Sequence, residues 1–173
     1  MPMNLDWMPA ADRPDLLAPP VERAVRDLAE EVRVAEIDPE LADTAAFCER
    51  YGVAPDESAN CVIVAGRRGG ETRYAAALVL ATTRADVNGV IRRHLDARKA
   101  SFAPHQDAVD RTGMEYGGIT PLGLPEDWPV LVDEAVAAAP FVVIGSGVRR
   151  SKLAVSGATL AGLKTAEVLK LAV

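Results

Sequence analysis

The chain has 173 residues, of which 49% are hydrophobic and 25% charged, and its formal net charge is −6. These values are typical of a soluble, globular, single-domain protein with a substantial core. They argue against indiscriminate nucleic-acid binding, which needs a broad basic field. No run approaches the roughly 18 consecutive apolar residues that a membrane helix requires.

The first segment is rich in proline and lacks hydrophobic periodicity. It predicts an extended arm over residues 1–18, followed by one domain over residues 19–173. Asp6 and Asp12 lie where a signal peptide would have a basic region and an apolar core. We therefore expect a cytoplasmic protein.

The next segment has two helical patterns. Apolar residues at helical spacing after a proline predict a helix over residues 21–32, and a short strand is expected over residues 33–37. A second helix is predicted over residues 39–51, with Asp38 as its N-cap and Gly52 as its stop.

A β-hairpin follows. Residues 61–65 form a continuous apolar run, residues 67–70 supply a turn, and residues 74–81 supply the partner strand. Thr83 and Asp86 then resemble a capping box at the start of an amphipathic helix, with a carboxylate of Asp in place of the usual Glu.

The remaining elements are short. Apolar runs predict strands over residues 99–102, 130–132, 141–144 and 153–155. Helices are expected to begin after Pro104, Asp133 and Ser156. Short strands interleaved with short helices, several of them joined as hairpins, indicate an α+β sheet or a partly closed barrel and not a regular βαβ array.

The metal-binding and nucleophilic residue types are few and scattered. Cys48 falls in a helical pattern and Cys61 opens a strand, so we expect buried free thiols. His94 and His105 have no partner at a metal-ligand spacing, and structural or surface roles are the simplest interpretation. We predict no metal.

Known cofactor and nucleophile motifs are missing from the sequence. Gly145-Ser146-Gly147 lacks the G-K-[ST] ending of a phosphate-binding loop and precedes a strand, so we interpret it as a turn. No Ser-His-Asp or Cys-His arrangement is suggested. We expect no cofactor.

A glycine-rich stretch, MEYGGITPLG, occupies residues 114–123. Gly117 and Gly118 allow the backbone to turn and its N–H groups to approach a ligand closely. Pro121 fixes its own φ and biases Thr120 toward an extended conformation. From the spacing alone, a tight loop is the simplest interpretation.

Four local clusters of basic residues occur within the acidic chain, at residues 67–68, 92–93, 98–99 and 149–152. Each cluster alone is typical of a solvated face or a turn. Several clusters on one surface would together form a basic patch, but the sequence does not show whether they converge.

Several segments taken together resemble the YbaK/EbsC family of aminoacyl-tRNA deacylases, free-standing relatives of the editing domain inserted in bacterial prolyl-tRNA synthetases. The resemblance covers about residues 20–170. It rests on the order of the segments SANCVIV (58–64), SFAP (101–104), TGMEYGGITPLG (112–123), PVLVD (129–133) and VVIGSG (142–147).

The resemblance implies a barrel-like mixed β-sheet surrounded by helices and a pocket for the charged 3′ end of tRNA. The family hydrolyses the ester between a wrong amino acid and tRNA with help from a ribose hydroxyl of the substrate. Gly117 and Gly118 would hold the carbonyl through their N–H groups. The resemblance places further substrate contacts at Thr120, Pro121, Ser146 and Gly147.

Two departures of the chain from the family pattern change the charge of the predicted site. Asn60 stands where members commonly carry a lysine, and Lys152 stands where they carry an acid. We hypothesise that Lys152 supplies the positive charge from another wall of the pocket; the alternative is a solvated residue at the start of a strand.

Three functions follow from these observations. The first is a trans-editing hydrolase that binds tRNA transiently and acts on a small-side-chain aminoacyl ester, as a monomer or homodimer, with an aminoacyl-tRNA synthetase as a candidate partner. The second is a silent module that binds a tRNA 3′ end, an aminoacyl-adenosine-like ligand or a protein. The third is an interaction protein that uses the N-terminal arm.

Overall fold

The computed structural model describes residues 4–28 and 32–173, and the secondary structure of these residues comprises nine β-strands and six α-helices. The strands are β1 (Met8–Pro9), β2 (Arg33–Glu36), β3 (Ala59–Arg68), β4 (Glu71–Leu80), β5 (Lys99–Phe102), β6 (Val130–Asp133), β7 (Val142–Gly145), β8 (Ser151–Val155) and β9 (Ala166–Leu169). The helices are α1 (Pro19–Arg26), α2 (Thr44–Tyr51), α3 (Arg92–His94), α4 (His105–Thr112), α5 (Glu134–Ala137) and α6 (Gly157–Ala161). Of the helices described, none is long and apolar enough to cross a bilayer.

The strands form two sheets. The first has the order β1-β2-β8-β7 and is antiparallel throughout. The second has the order β5-β3-β4-β6-β9 and becomes parallel at β4–β6 and β6–β9. A parallel bridge between Ser58 and Val143 joins the sheets where β3 begins beside β7. The predicted mixed α+β class is confirmed; among the residues described, the sheets meet at this seam without forming one closed barrel.

The β3–β4 hairpin is the longest regular feature and confirms the predicted turn. Gly69 and Gly70 have φ of 56° and 83°, the positive values that a two-residue hairpin turn of type I′ requires at both positions. The strands continue for ten residues each. As a result, β3 carries its first residues to the seam between the sheets and its last residues to the opposite end of the sheet.

The two predicted N-terminal helices differ from expectation. The first begins at Pro19 and ends at Arg26, so its predicted extent was too long, and residues 29–31 lie outside the described part of the chain. The second is divided into a 3-10 turn (Pro39–Leu41) and α2, which ends at Gly52 as predicted. The break leaves the Ala42 carbonyl outside a helical ladder, where it accepts a hydrogen bond from Lys152 at 2.8 Å.

The predicted capping box at Thr83 is wrong. Asp86 is itself the N-cap, since its carboxylate accepts hydrogen bonds from the N–H groups of Gly89 and Val90, while the Thr83 hydroxyl donates to the Leu80 carbonyl. One turn of π-helix (Val87–Ile91) then leads into α3. The predicted helix starts at Asp133 and Ser156 are confirmed, because each side chain accepts a hydrogen bond from an N–H of the first turn.

The segment predicted as an extended arm packs against the domain. Met8 and Pro9 pair with β2, and Ala10, Leu16 and Leu17 are buried. The Ser151 hydroxyl on β8 donates to the Leu16 carbonyl at 2.6 Å. Residues 10–16 form 3-10 turns, which explains why no helical or strand periodicity appears in this stretch.

Truncation of Leu16 tests this packing. We expect Leu16→Ala to lower the free energy of unfolding by about 2–4 kcal/mol, because the side chain is 3% exposed within the main hydrophobic cluster. Denaturant unfolding measures the change, and Asp12→Ala at an exposed neighbouring position is the control. A Leu16→Ala variant as stable as the control would mean that the segment is detached from the domain in solution.

Candidate functional site

A cavity of about 260 Å³ opens at the seam between the two sheets. Its walls come from the start of β3, the end of β7, the start of β8, the segment between the 3-10 turn and α2, and the glycine-rich loop. The residues that line it are Ala42, Asp43, Thr44, Ser58, Ala59, Asn60, Cys61, Val62, Tyr116, Gly117, Ile119, Val143, Ile144, Gly145 and Lys152. Three of the four residues predicted as catalytic therefore meet in one cavity.

Lys152 supplies a buried cation to this cavity. Its side chain leaves β8, is 8% exposed, and donates from Nζ to the Ala42 carbonyl at 2.8 Å. The same nitrogen lies 5.2 Å from the centroid of the Phe47 ring. Burial lowers the pKa of Lys152 from its ordinary value of 10.5 to about 8, although the nearby Asp43 carboxylate acts in the opposite direction. An ammonium has three N–H donors and Ala42 engages one of them.

Asn60 reaches the same cavity from the other sheet. Its Oδ1 accepts a hydrogen bond from the Thr44 hydroxyl at 2.6 Å. This contact turns the amide nitrogen, with its two N–H donors, away from Thr44. Asn60 and Lys152 thus provide an uncharged and a charged donor to one small space.

The glycine-rich loop contributes one of its two predicted donors. The Gly118 N–H donates to the Glu115 carbonyl at 3.0 Å, closing a turn in which Gly117 has φ of 89°. Gly118 is buried and lies outside the cavity lining. Gly117 lines the cavity, and within residues 4–28 and 32–173 its N–H donates to no protein acceptor. The Gly118 N–H therefore stabilises the turn, and the carbonyl-binding role expected for it stays a prediction.

Close packing of two loops explains the glycine at position 118. The Gly147 N–H donates to the Gly118 carbonyl at 2.7 Å, and the Glu115 N–H donates to the Gly147 carbonyl at 2.8 Å. A Cβ at position 118 would lie 2.7 Å from the Val148 carbonyl oxygen. The two glycine motifs noted in the sequence are thus in contact, and each supports the other.

The four residues predicted to contact substrate lie behind the cavity wall. Thr120, Pro121, Ser146 and Gly147 are buried and absent from the lining. The Ser146 hydroxyl is used inside its own turn, 2.6 Å from the Ser151 hydroxyl. Thr120 Oγ1 is buried without a hydrogen-bond partner among the residues described. In the structure these four residues therefore maintain the conformation of the two glycine-containing loops.

Arg149 is a residue of the site that the motif comparison did not single out. Its guanidinium donates to the Pro39 carbonyl at 3.1 and 3.2 Å and to the Tyr116 carbonyl at 3.3 Å, and it lies 3.6 Å from an Asp43 carboxylate oxygen. It therefore ties the glycine-rich loop to the segment before α2. The signal in the sequence was the basic cluster at residues 149–152.

An aromatic pair stands at the cavity rim. Tyr116 is 51% exposed, lines the cavity, and stacks on the His105 ring with centroids 3.8 Å apart. His94 pairs with Glu167 through Nε2 at 2.6 Å. The two histidines thus have protein partners on the surface.

The cysteines do not supply a thiolate. Both are free, as predicted. Burial raises the pKa of Cys61 to about 12, and burial also raises the pKa of Cys48. Both thiols are protonated at neutral pH, so neither is an activated nucleophile. Across the described ranges, no group of three or more His, Cys, Asp or Glu side chains could hold a metal ion.

These features define a two-sheet α+β domain whose cavity presents hydrogen-bond donors, with one buried cation, to a small ligand. The chain belongs to the aminoacyl-tRNA editing domain family, whose family model matches residues 38–163. The resemblance inferred from the sequence is confirmed. No curated protein matches the sequence.

Three solved structures share the fold. The hypothetical protein APE2540 has a TM-score of 0.79 at 20% identity, with 89% of this chain and 99% of that chain covered. A proposed trans-editing enzyme for prolyl-tRNA synthetase has a TM-score of 0.70 at 21% identity, with 82% and 87% covered. A scaffold protein used for epitope grafting has a TM-score of 0.75 at 22% identity, with 90% and 97% covered. At these identities the likeness establishes the fold.

Proposed function

We propose that this protein is an editing hydrolase that cleaves the ester between a small amino acid and the 3′ end of tRNA. The observation that carries the proposal is the meeting of Lys152, Asn60 and Gly117 in the lining of one small cavity in a member of the editing-domain family. The charged tRNA is the transient partner, and the chemistry uses no cofactor.

The size of the cavity supports a small aminoacyl group. Its volume of about 260 Å³ is below the roughly 300–1,000 Å³ of drug-sized ligand pockets. A water molecule takes about 30 Å³ of liquid volume, so the space suits a small side chain together with the attacking water. A large aromatic side chain leaves less of this volume for the water than a small side chain does.

Donors at the cavity wall suit ester hydrolysis. Attack of water on the acyl carbon places negative charge on the carbonyl oxygen, and we assign the Gly117 N–H and the Lys152 ammonium to stabilise it. Collapse of the tetrahedral species breaks the bond to the ribose oxygen, which as it leaves takes up the proton that the attacking water gives up. The free amino acid and an intact tRNA 3′ end are the products.

Proton transfer in this proposal depends on the substrate. Asp43 is the one carboxylate of the lining, and its side chain is 78% exposed and 3.6 Å from the Arg149 guanidinium, so it is a poor base. The neighbouring ribose hydroxyl orients the water, and the Asn60 amide donates to that hydroxyl. Asn60 then acts by positioning the ribose hydroxyl, and it lacks the positive charge that the family lysine would bring.

A panel of charged tRNAs tests the function. In single-turnover assays with enzyme in excess, we expect hydrolysis of at least one of Ala-, Ser- and Cys-charged tRNA above the buffer rate. Phe-charged tRNA is the comparison substrate, because its larger side chain leaves less of the cavity for the attacking water, and we expect it to be hydrolysed more slowly. A full panel left intact at high enzyme concentration would exclude the hydrolase.

The departure at Asn60 favours a second candidate, a silent binding module. This function predicts saturable binding of a non-hydrolysable aminoacyl-adenosine analogue together with no turnover of any ester in the panel. Titration of the analogue by calorimetry separates the two functions, since the hydrolase requires both binding and turnover. Absence of binding would exclude the silent module.

A further inference from the structure

Four basic side chains lie together at the end of the five-stranded sheet where the β3–β4 turn meets the start of β5. We refer to them as the basic hairpin surface: Arg67, Arg68, Arg98 and Lys99. They belong to two segments, 66–73 and 92–99, that also contain two acidic residues, Glu71 and Asp96. The surface is therefore positive in a chain whose net charge is −6.

Strand pairing fixes the two segments side by side. β5 pairs with β3 so that Lys99 lies opposite Arg67, and the Arg98 N–H donates to the Arg67 carbonyl at 2.9 Å. The Arg68 guanidinium donates to the Asp96 carbonyl at 2.7 Å. Clusters that are separate in the sequence thus form one surface on a regular element.

The cations of this surface are available to a ligand. All four are exposed. Arg68 forms an ion pair with Asp96 at 3.3 Å; in the described part of the chain no other member of the surface forms an ion pair. Positions Gly69 and Gly70 have open space around them, so the hairpin tip projects into solvent.

One strand connects this surface with the cavity. β3 carries Asn60 near its start and Arg68 at its end, and at about 3.3 Å per residue the two positions lie roughly 26 Å apart. A tRNA whose charged 3′ end enters the cavity extends well beyond it. The phosphates of that tRNA are negatively charged, and they are the ligand that suits the charge and the position of the basic hairpin surface.

We propose that the basic hairpin surface binds the phosphodiester backbone of the tRNA acceptor arm while the 3′ end occupies the cavity. The proposal rests on the proposed function for the identity of the ligand. Contacts from Arg and Lys to phosphates position a nucleic acid without reading its sequence. The surface therefore contributes affinity for tRNA, and the cavity contributes the choice of amino acid.

Charge removal tests the surface. The variant Arg67→Gln/Arg98→Gln/Lys99→Gln replaces three exposed cations, and the matched control Arg23→Gln/Lys164→Gln/Lys170→Gln replaces three exposed cations elsewhere. We expect the first variant to weaken binding of uncharged tRNA about 10- to 100-fold near physiological salt. Its slope of log Kd against log salt should fall by about 2–3, since each phosphate contact contributes about 0.7–0.9. The control variant should match the wild type.

The measurement uses fluorescence anisotropy with uncharged tRNA, so it is independent of hydrolysis. If the panel shows turnover, the first variant should raise KM for charged tRNA, while its kcat and its hydrolysis of an aminoacyl-adenosine ester stay unchanged. Unchanged affinity and salt slope in the first variant, or equal losses in both variants, would overturn the proposal. A wild type that binds no tRNA even at low salt would overturn it too.

Discussion

Lys152→Met is expected to raise the free energy of unfolding by about 1–3 kcal/mol at pH 7 and to lower the rate of deacylation about 100-fold. The depression of the Lys152 pKa from 10.5 to about 8 corresponds to about 3 kcal/mol of unfavourable charge burial at 1.36 kcal/mol per unit. Loss of the hydrogen bond to Ala42 offsets about 1 kcal/mol of the gain. The loss of activity follows from removing a charged donor at the reacting carbonyl.

The pH dependence of stability gives this prediction a second measurement. Below pH 8, folded and unfolded chains both hold the proton of Lys152, so the cost of its buried charge is fully present. Between about pH 8 and 10.5 the unfolded chain binds more protons, so the stability of the wild type rises with pH. The advantage of Lys152→Met is therefore largest at pH 7 and disappears by about pH 10.5. Activity that needs the charged form falls as pH rises through about 8.

Lys164→Met is the matched control, because Lys164 is exposed. We expect the control to change the free energy of unfolding by no more than about 0.5 kcal/mol. Its deacylation rate should equal that of the wild type. Denaturant unfolding across pH and single-turnover assays supply the two readouts. Full activity in Lys152→Met would remove Lys152 from the chemistry and contradict the hypothesis of a relocated cation.

Gly118→Ala is expected to lower the free energy of unfolding by about 1–3 kcal/mol. The added Cβ would lie within 2.8 Å of the backbone N, C and O atoms of Val148, and backbone on both sides leaves little room for adjustment. The clash separates two loops that exchange hydrogen bonds through Gly147. Since Gly117 is held by the same turn, we expect deacylation to fall at least about 10-fold.

Gly162→Ala provides the comparison for this prediction. At Gly162 the added Cβ meets no atom closer than 3.3 Å and the φ is −90°, so the cost should be small. Thermal unfolding of both variants measures the difference. A Gly118→Ala variant with wild-type stability and lost activity would instead favour a direct role of the Gly118 N–H toward substrate.

The two substitutions are expected to change the free energy of unfolding in opposite directions, because Lys152 and Gly118 are needed for different reasons. Lys152 is an ionisable group whose burial costs stability, a pattern typical of residues retained for function. Gly118 is required by backbone packing, and its contribution to the site is indirect. Stability and activity therefore change in opposite directions at position 152 and in the same direction at position 118.

Local chemistry made much of this protein predictable from its sequence. The paired glycines Gly69 and Gly70 specify the hairpin turn, and Asp133 and Ser156 cap helices through side-chain hydrogen bonds within one turn. The order of the motifs identified the family, and the family implied a pocket near Asn60 and the glycine-rich loop. All of these depend on contacts between residues close in the chain or on patterns within short segments.

Tertiary structure alone decided which groups reach the cavity. All five residues of β8 are buried, so no alternation of polar and apolar residues indicated the face of Lys152; its place follows from pairing with both β2 and β7. Among the described residues the Gly117 N–H has no protein acceptor, whereas a turn hydrogen bond engages the Gly118 N–H; the basic clusters converge because β5 pairs with β3. Sequence determines local conformation directly, whereas these contacts join residues far apart in the chain and exist only once the sheets have formed.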